Sequence, residues 1–185
     1  MGVMISMLRG VNVGGHNMIK MEALRALFVS LKLRDAQTFI QSGNVIFRTD
    51  ERDVAALTKR VQSGIERSFG CCPDVIFRTL AEMRDTVARN PFAKRRDIEP
   101  SKFLVTFLSS EPAAAARAAA LKMMAGPDEL RIHGRELYIY YASGLARPTV
   151  PWMSVVKTLK TTGTGRNWNS VTKMLEIAEK LEASE

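Results

Sequence analysis

The hydrophobic pattern sets out the elements in order. Val3 to Leu8 is a short apolar run ended by Arg9-Gly10, the signature of a central strand covered on both faces. Leu24, Leu27, Phe28 and Leu31 recur at i, i+3, i+4 and i+7, which predicts a helix over Met21 to Leu31. Thr38 to Gln41 and Val45 to Arg48 flank Ser42-Gly43-Asn44, residues that tolerate positive φ, so a hairpin is expected there. Val54, Leu57, Val61, Ile65 and Phe69 mark a second helix, and Val75-Ile76-Phe77 a further strand, giving β-α-β-β-α-β.

The order then repeats. Thr79-Leu80-Ala81-Glu82 has capping-box spacing and opens a connecting helix to about Arg89. Asn90-Pro91-Phe92 and the charged run Lys94-Arg95-Arg96-Asp97 read as an exposed, solvated linker. Beyond Ser101, Phe103 to Leu108 is a strand. Pro112 stands as a first helical residue ahead of an Ala-rich helix, Ala113 to Met124. Leu130 to His133 and Glu136 to Tyr141 form a hairpin about Gly134, Pro151 to Leu159 a short helix, Thr161 to Arg166 the closing strand and Asn169 to Leu181 a last helix. The expected fold class is α+β: two ferredoxin-like halves, each an antiparallel sheet with its helices on one face, plus a C-terminal helix. The expected division is 1–79, a connector over 80–100, and 101–185. Val-Ile-Phe-Arg-Thr occurs at Val45 to Thr49 and at Val75 to Thr79, but their spacing is not the period of the duplication, so the match reads as coincidence.

Composition adds limits. The chain has 185 residues, 46% of them apolar, which suits a packed core and disfavours disorder or coiled coil. Its 27 Lys and Arg exceed 19 Asp and Glu, a net charge of +8 that favours anionic partners. The two cysteines, Cys71 and Cys72, are adjacent and offer no disulfide framework, which fits a cytoplasmic setting. No secretion signal or membrane-length apolar stretch is read, and Met1 to Ser6, though it fits a loose myristoylation pattern, reads better as part of a strand. No membrane partner is expected.

Two segments carry candidate chemistry. Arg9-Gly10-Val11-Asn12-Val13-Gly14-Gly15-His16-Asn17 lies between a strand and a helix, where glycine-freed amides and a helix N-terminus can receive an anion. Gly10 and Gly15 have P-loop spacing, but His16 and Asn17 replace the required Lys and Ser or Thr, and Rossmann spacing is absent. No cofactor is expected. The alternative is a glycine turn that merely joins strand to helix. The second segment lies in a stretch from Leu137 to Leu175 without Asp or Glu, to which Arg147, Lys157, Lys160, Arg166 and Lys173 contribute +5. Within it, Arg166, Asn167, Trp168, Asn169 and Lys173 gather a guanidinium, two amides, an indole and an ammonium at a helix start. The alternative is that an Asn caps the helix and Trp168 is core.

Arg9-Gly10-Val11-Asn12-Val13-Gly14-Gly15, Gln41-Ser42-Gly43-Asn44-Val45, Asn90-Pro91-Phe92 and Arg166-Asn167-Trp168-Asn169 together resemble the bacterial family called domain of unknown function 1697. The resemblance covers nearly the whole chain and implies two ferredoxin-like halves but no activity. His16 stands where members often carry Lys.

Three functions compete. The first is binding of a phosphorylated, nucleotide-like small molecule: Arg9 and Arg166 pair with phosphate, Gly14 and Gly15 donate amides, Asn12, Asn17 and Asn169 orient polar groups and Trp168 stacks on a ring. That single site needs the two segments to meet. The second is RNA or single-stranded DNA binding, with Tyr138 and Tyr140 facing outward from one strand as a stacking platform. The third is an enzyme of unknown class using the same anion site. His16 is its weak acid-base candidate, His133 being a hairpin residue, and the cysteines lack metal-site spacing, so no metal is expected.

Overall fold

The computed structural model describes residues 1–124, 126–146 and 148–184. It divides into two compact units, one holding Met1–Asp85 and the chain from Lys173 onward, the other Thr86–Thr172. The last helix, assigned by sequence to the second half, thus contributes its later turns to the first unit.

In the first unit β1 (Gly2–Leu8), α1 (Met21–Ser30), β2 (Arg34–Phe39), β3 (Asn44–Thr49), α2 (Val54–Phe69) and β4 (Val75–Thr79) follow one another. The antiparallel sheet has the order β2-β3-β1-β4. On one face Leu24 and Phe28 of α1 and Leu57, Val61 and Ile65 of α2 meet Met4, Leu8, Val45, Phe47 and Phe77. Each such side chain contributes about 1.5–3 kcal/mol on burial. The other face, Ile5, Met7, Ile46 and Ile76, is buried as well, which is why β1 is apolar on both sides. Asp53 caps α2 by accepting from Ala55 N and Ala56 N, and Gly70 ends it at φ 69°. Strand β2 begins four residues earlier than the pattern predicts: Arg34-Asp35-Ala36-Gln37 is polar because this is an exposed edge strand with an irregular register.

Thr79 opens α3 (Leu80–Ala88) with the expected capping box, its N–H donating to Glu82 Oε2 at 2.8 Å and its Oγ1 accepting from Glu82 N at 3.1 Å. The second unit then runs β5 (Phe103–Leu108), α4 (Ala114–Leu121), β6 (Glu129–His133), β7 (Glu136–Tyr140), α5 (Trp152–Thr158), β8 (Gly163–Asn167) and α6 (Trp168–Ala183), with sheet order β6-β7-β5-β8. Two four-stranded antiparallel sheets, each βαββαβ-like, and a C-terminal helix make the fold α+β. Pro112 is not the first helical residue; Ala113 caps α4, which stops at Leu121 because Met123 and Met124 turn in against the core.

The duplication extends to single hydrogen bonds. Leu8 N donates to Gly43 O at 2.9 Å and Leu108 N to Arg135 O at 2.8 Å; Arg9 N donates to Asp74 O and Ser109 N to Thr162 O, both at 2.9 Å. Each sheet therefore fastens the end of its first strand to the two loops that flank it.

Candidate functional site

The glycine segment of the first unit is a miniature hairpin. His16 N donates to Val13 O at 3.1 Å and Asn12 N to Asn17 O at 3.2 Å, with Val13 and His16 bridged as antiparallel partners. Gly14 and Gly15 have φ of 58° and 79°, both left-handed, as a type I′ turn requires. Asn12, itself at φ 55°, fixes the hairpin with its whole side chain: Nδ2 donates to Ile19 O at 2.9 Å and to Gln41 O at 2.8 Å, and Oδ1 accepts from Ile19 N at 2.8 Å. Asn17 Nδ2 donates to Gly10 O at 3.1 Å. These bonds use the amides of Asn12, His16 and Ile19 and leave those of Gly14 and Gly15 at an exposed tip.

Asn12 also explains why two of the sequence blocks occur together, since its bond to Gln41 O joins the glycine hairpin to the turn between β2 and β3. That turn is tight. Gly43 lies at φ 74°, and a Cβ there would come within 3.0 Å of Leu8 Cβ and Val11 Cγ2. Asn44, buried, donates to Phe39 O at 3.1 Å and Ser42 Oγ at 3.0 Å. Arg9 follows β1, with its guanidinium 3.0 Å from Asp74. No motif marks Asp74 as a partner for Arg9, although it directly precedes β4, the strand that this topology sets beside β1.

The other two blocks meet in the second unit. Asn90 Oδ1 accepts from Phe92 N at 2.8 Å, turning Phe92 inward to meet Phe103 edge-on at 5.4 Å, and Phe103 stacks with Trp168 at 4.7 Å. Asn167 donates to Pro100 O at 3.2 Å and Ser101 O at 2.9 Å while its Oδ1 caps α6 by accepting from Asn169 N at 3.0 Å. Arg166 is 6% exposed and donates to Thr164 Oγ1 at 2.7 Å and Gly165 O at 2.9 Å. Burial pulls its guanidinium down to about 10. Lys173, in the first unit, pairs with Glu176 at 2.8 Å. Arg147 lies outside the described residues.

The paired tyrosines do not form an outward platform. Tyr138 is 1% and Tyr140 6% exposed, because their hydroxyls reach inward to Thr86 O at 2.9 Å and Asp97 O at 3.0 Å. The charged linker is anchored: Arg95 pairs with Asp97 and Glu129 and lies over the Phe92 ring at 5.6 Å. The His16 side chain is exposed, and its imidazole has no hydrogen-bonding partner among the described residues. His133 meets Arg89 at the end of β6. Cys71 and Cys72 are free thiols. No helix among the described residues is long and apolar enough to cross a membrane.

The fold recurs in a solved structure, conserved bacterial protein SP0830 from Streptococcus pneumoniae, at a TM-score of 0.75 and 18% identity over 96% of this chain and 98% of that one. No curated protein matches the chain. The family model for a protein of unknown function, DUF1697, matches residues 1–138, a span that contains the glycine hairpin, the Gly43 turn and the Phe92 block, and this chain belongs to that family.

Proposed function

We propose that the chain binds a phosphate-bearing small molecule, nucleotide-like in chemistry, with the glycine hairpin as its recognition element. The observation that carries this reading is Asn12, which commits one backbone and three side-chain hydrogen bonds to holding an exposed loop in one shape. A rigid loop that adds little to the core suits recognition, because ordering is complete before the ligand arrives. From Arg9 to Lys20 there is no carboxylate, and Arg9, which pairs with Asp74, His16 and Lys20 supply cationic or proton-donating groups on the same segment as the amides of Gly14 and Gly15. In this reading Asn12 is scaffold and Asn17 presents its carboxamide oxygen. Arg166, Asn167 and Trp168 engage their own unit's carbonyls, helix cap and ring stack, and Asn169 gives its backbone N–H to the cap. His16 has no group to orient its ring, so binding is favoured over acid-base catalysis.

The test is a thermal-shift series with nucleotides, sugar phosphates and short RNA. A ligand that binds only the folded chain raises the melting temperature. Stabilisation by nucleotides that disappears in Arg9→Ala supports the reading. A response to RNA alone, weakening as salt rises, moves the function to nucleic-acid binding.

A further inference from the structure

The opposite end of the first sheet holds a second concave site, one that neither the motifs nor the family points to. A cavity of about 400 Å³ is bounded by Lys32 after α1, Arg34 on β2, Arg60 on α2 and the Thr49-Asp50-Glu51 segment after β3. Its size falls within the range of small-molecule pockets, roughly 300–1,000 Å³. The three cations come from three different elements and have no carboxylate partner among the described residues. Arg34 meets only the Met1 thioether sulfur, at 3.4 Å.

Two features of this site work against stability. Helix α1 ends in a Schellman motif, with Lys32 N donating to Val29 O at 2.9 Å and Leu33 N to Phe28 O at 3.1 Å. The motif places its C′ residue in the left-handed region, and there, where glycine is favoured, stands Lys32 at φ 60°. Across β2 and β3, Arg34 is directly opposite Arg48, a like-charge pair of the destabilising kind, with Asp35 beside Arg48 at 3.3 Å. Strain and repulsion concentrated around one cavity are what a binding site retains and a neutral surface does not.

We propose that this cavity binds a small phosphate ester that carries neighbouring hydroxyl groups. Two guanidinium forks and an ammonium match the oxygens of a phosphate. Asp50 and Glu51 would repel a larger polyanion but accept hydrogen bonds from hydroxyls. Glu51 already accepts one from Asp53 N at 3.0 Å, and Asp50 lies 3.7 Å from the Met1 amino group. The site is independent of the glycine hairpin, which follows the far end of β1.

Amide NMR titrations of the intact chain with glycerol phosphate, ribose phosphate, inorganic phosphate and ribose test it. The two esters are expected to shift the amides of Lys32, Arg34 and Arg60, inorganic phosphate to do so more weakly, and ribose not at all. Lys32→Gly is expected to raise the melting temperature while weakening ester binding by about tenfold or more, since it removes strain and a cation together. Arg34→Gln should weaken binding without that gain. The proposal is overturned if neither ester moves these amides, if inorganic phosphate binds as tightly as the esters, or if both variants bind like the parent. The amides of Gly10, Gly14 and Gly15 report the hairpin separately, so either site can fail alone.

Discussion

Arg78 and Arg166 occupy the same position in the two halves. Arg78 stands opposite Ile5 and donates to Phe77 O at 2.8 Å; Arg166 stands opposite Val105 and donates to Gly165 O at 2.9 Å. Each is buried, each bonds the carbonyl of the residue before it, and each lies two residues ahead of a helix start. The arginine that sequence presents as the head of a binding segment thus has an internal counterpart with the same structural duty.

That duty predicts the outcome of removing it. Arg166→Ala removes the guanidinium that donates to Gly165 O and Thr164 Oγ1 and is expected to cost about 2–4 kcal/mol in urea unfolding. Arg166→Lys, which lacks the planar fork, should recover part of the loss. A cost below about 1 kcal/mol would mean that the guanidinium is not needed to satisfy these acceptors.

Asn12 is open to a sharper test. Asn12→Ala removes three side-chain hydrogen bonds and should destabilise by about 1–3 kcal/mol. Asn12→Asp should be worse, because it keeps the acceptor for Ile19 N but aims a carboxylate oxygen at the Ile19 and Gln41 carbonyls. Hydrogen exchange should rise together in residues 10–19 and 40–43 in both variants. Faster exchange in the hairpin alone would show that Asn12 does not couple the two loops.

The fold was legible in the sequence because β1, β5 and the stripes of α1 and α2 obey simple periods. The pattern places β2 late because an edge strand carries polar residues, and it makes α4 too long because Ala and Met have high helix propensity whatever they pack against. The two Val-Ile-Phe-Arg-Thr strands are β3 and β4, the neighbours of β1 on either side, with Arg48 and Arg78 both buried. In the candidate site, the glycine loop was visible from its residue types, but its form as a hairpin was not. The commitments of Asn12 and Asn167 were not, since their partners at Gln41, Pro100 and Ser101 are backbone carbonyls brought near by the tertiary fold, and that of Arg166 was not because it depends on burial. Lys32, Arg34 and Arg60 share no motif and meet only through the topology.

Acid should loosen the last helix in a defined window. Lys173 and Lys180, each hydrogen-bonded to Glu176, hold its carboxyl down to about 2, against an ordinary value of 4.5. A carboxyl depressed in the folded state adds stability that is complete above its unfolded value and is lost as pH falls from about 4.5 to about 2. Glu176→Gln should flatten the acid dependence in that window, and salt should shrink the difference, because the pairs are exposed. An acid profile identical to that of the parent at low salt would exclude this contribution.

The turn at Gly14-Gly15 separates backbone need from binding. A type I′ turn accepts Asn at its first central position, so Gly14→Asn should leave the hairpin intact and raise stability by up to about 1 kcal/mol through a less free unfolded chain. Gly15→Val forces a β-branched residue to φ 79° and should cost about 1–3 kcal/mol. If the tip amides hold phosphate, Gly14→Asn keeps both N–H groups in place and retains the nucleotide-induced thermal shift, whereas Gly15→Val displaces them and loses it. Retention in Gly15→Val, with the chain folded, would place the phosphate elsewhere, because no anion contact through those two amides survives a distorted turn.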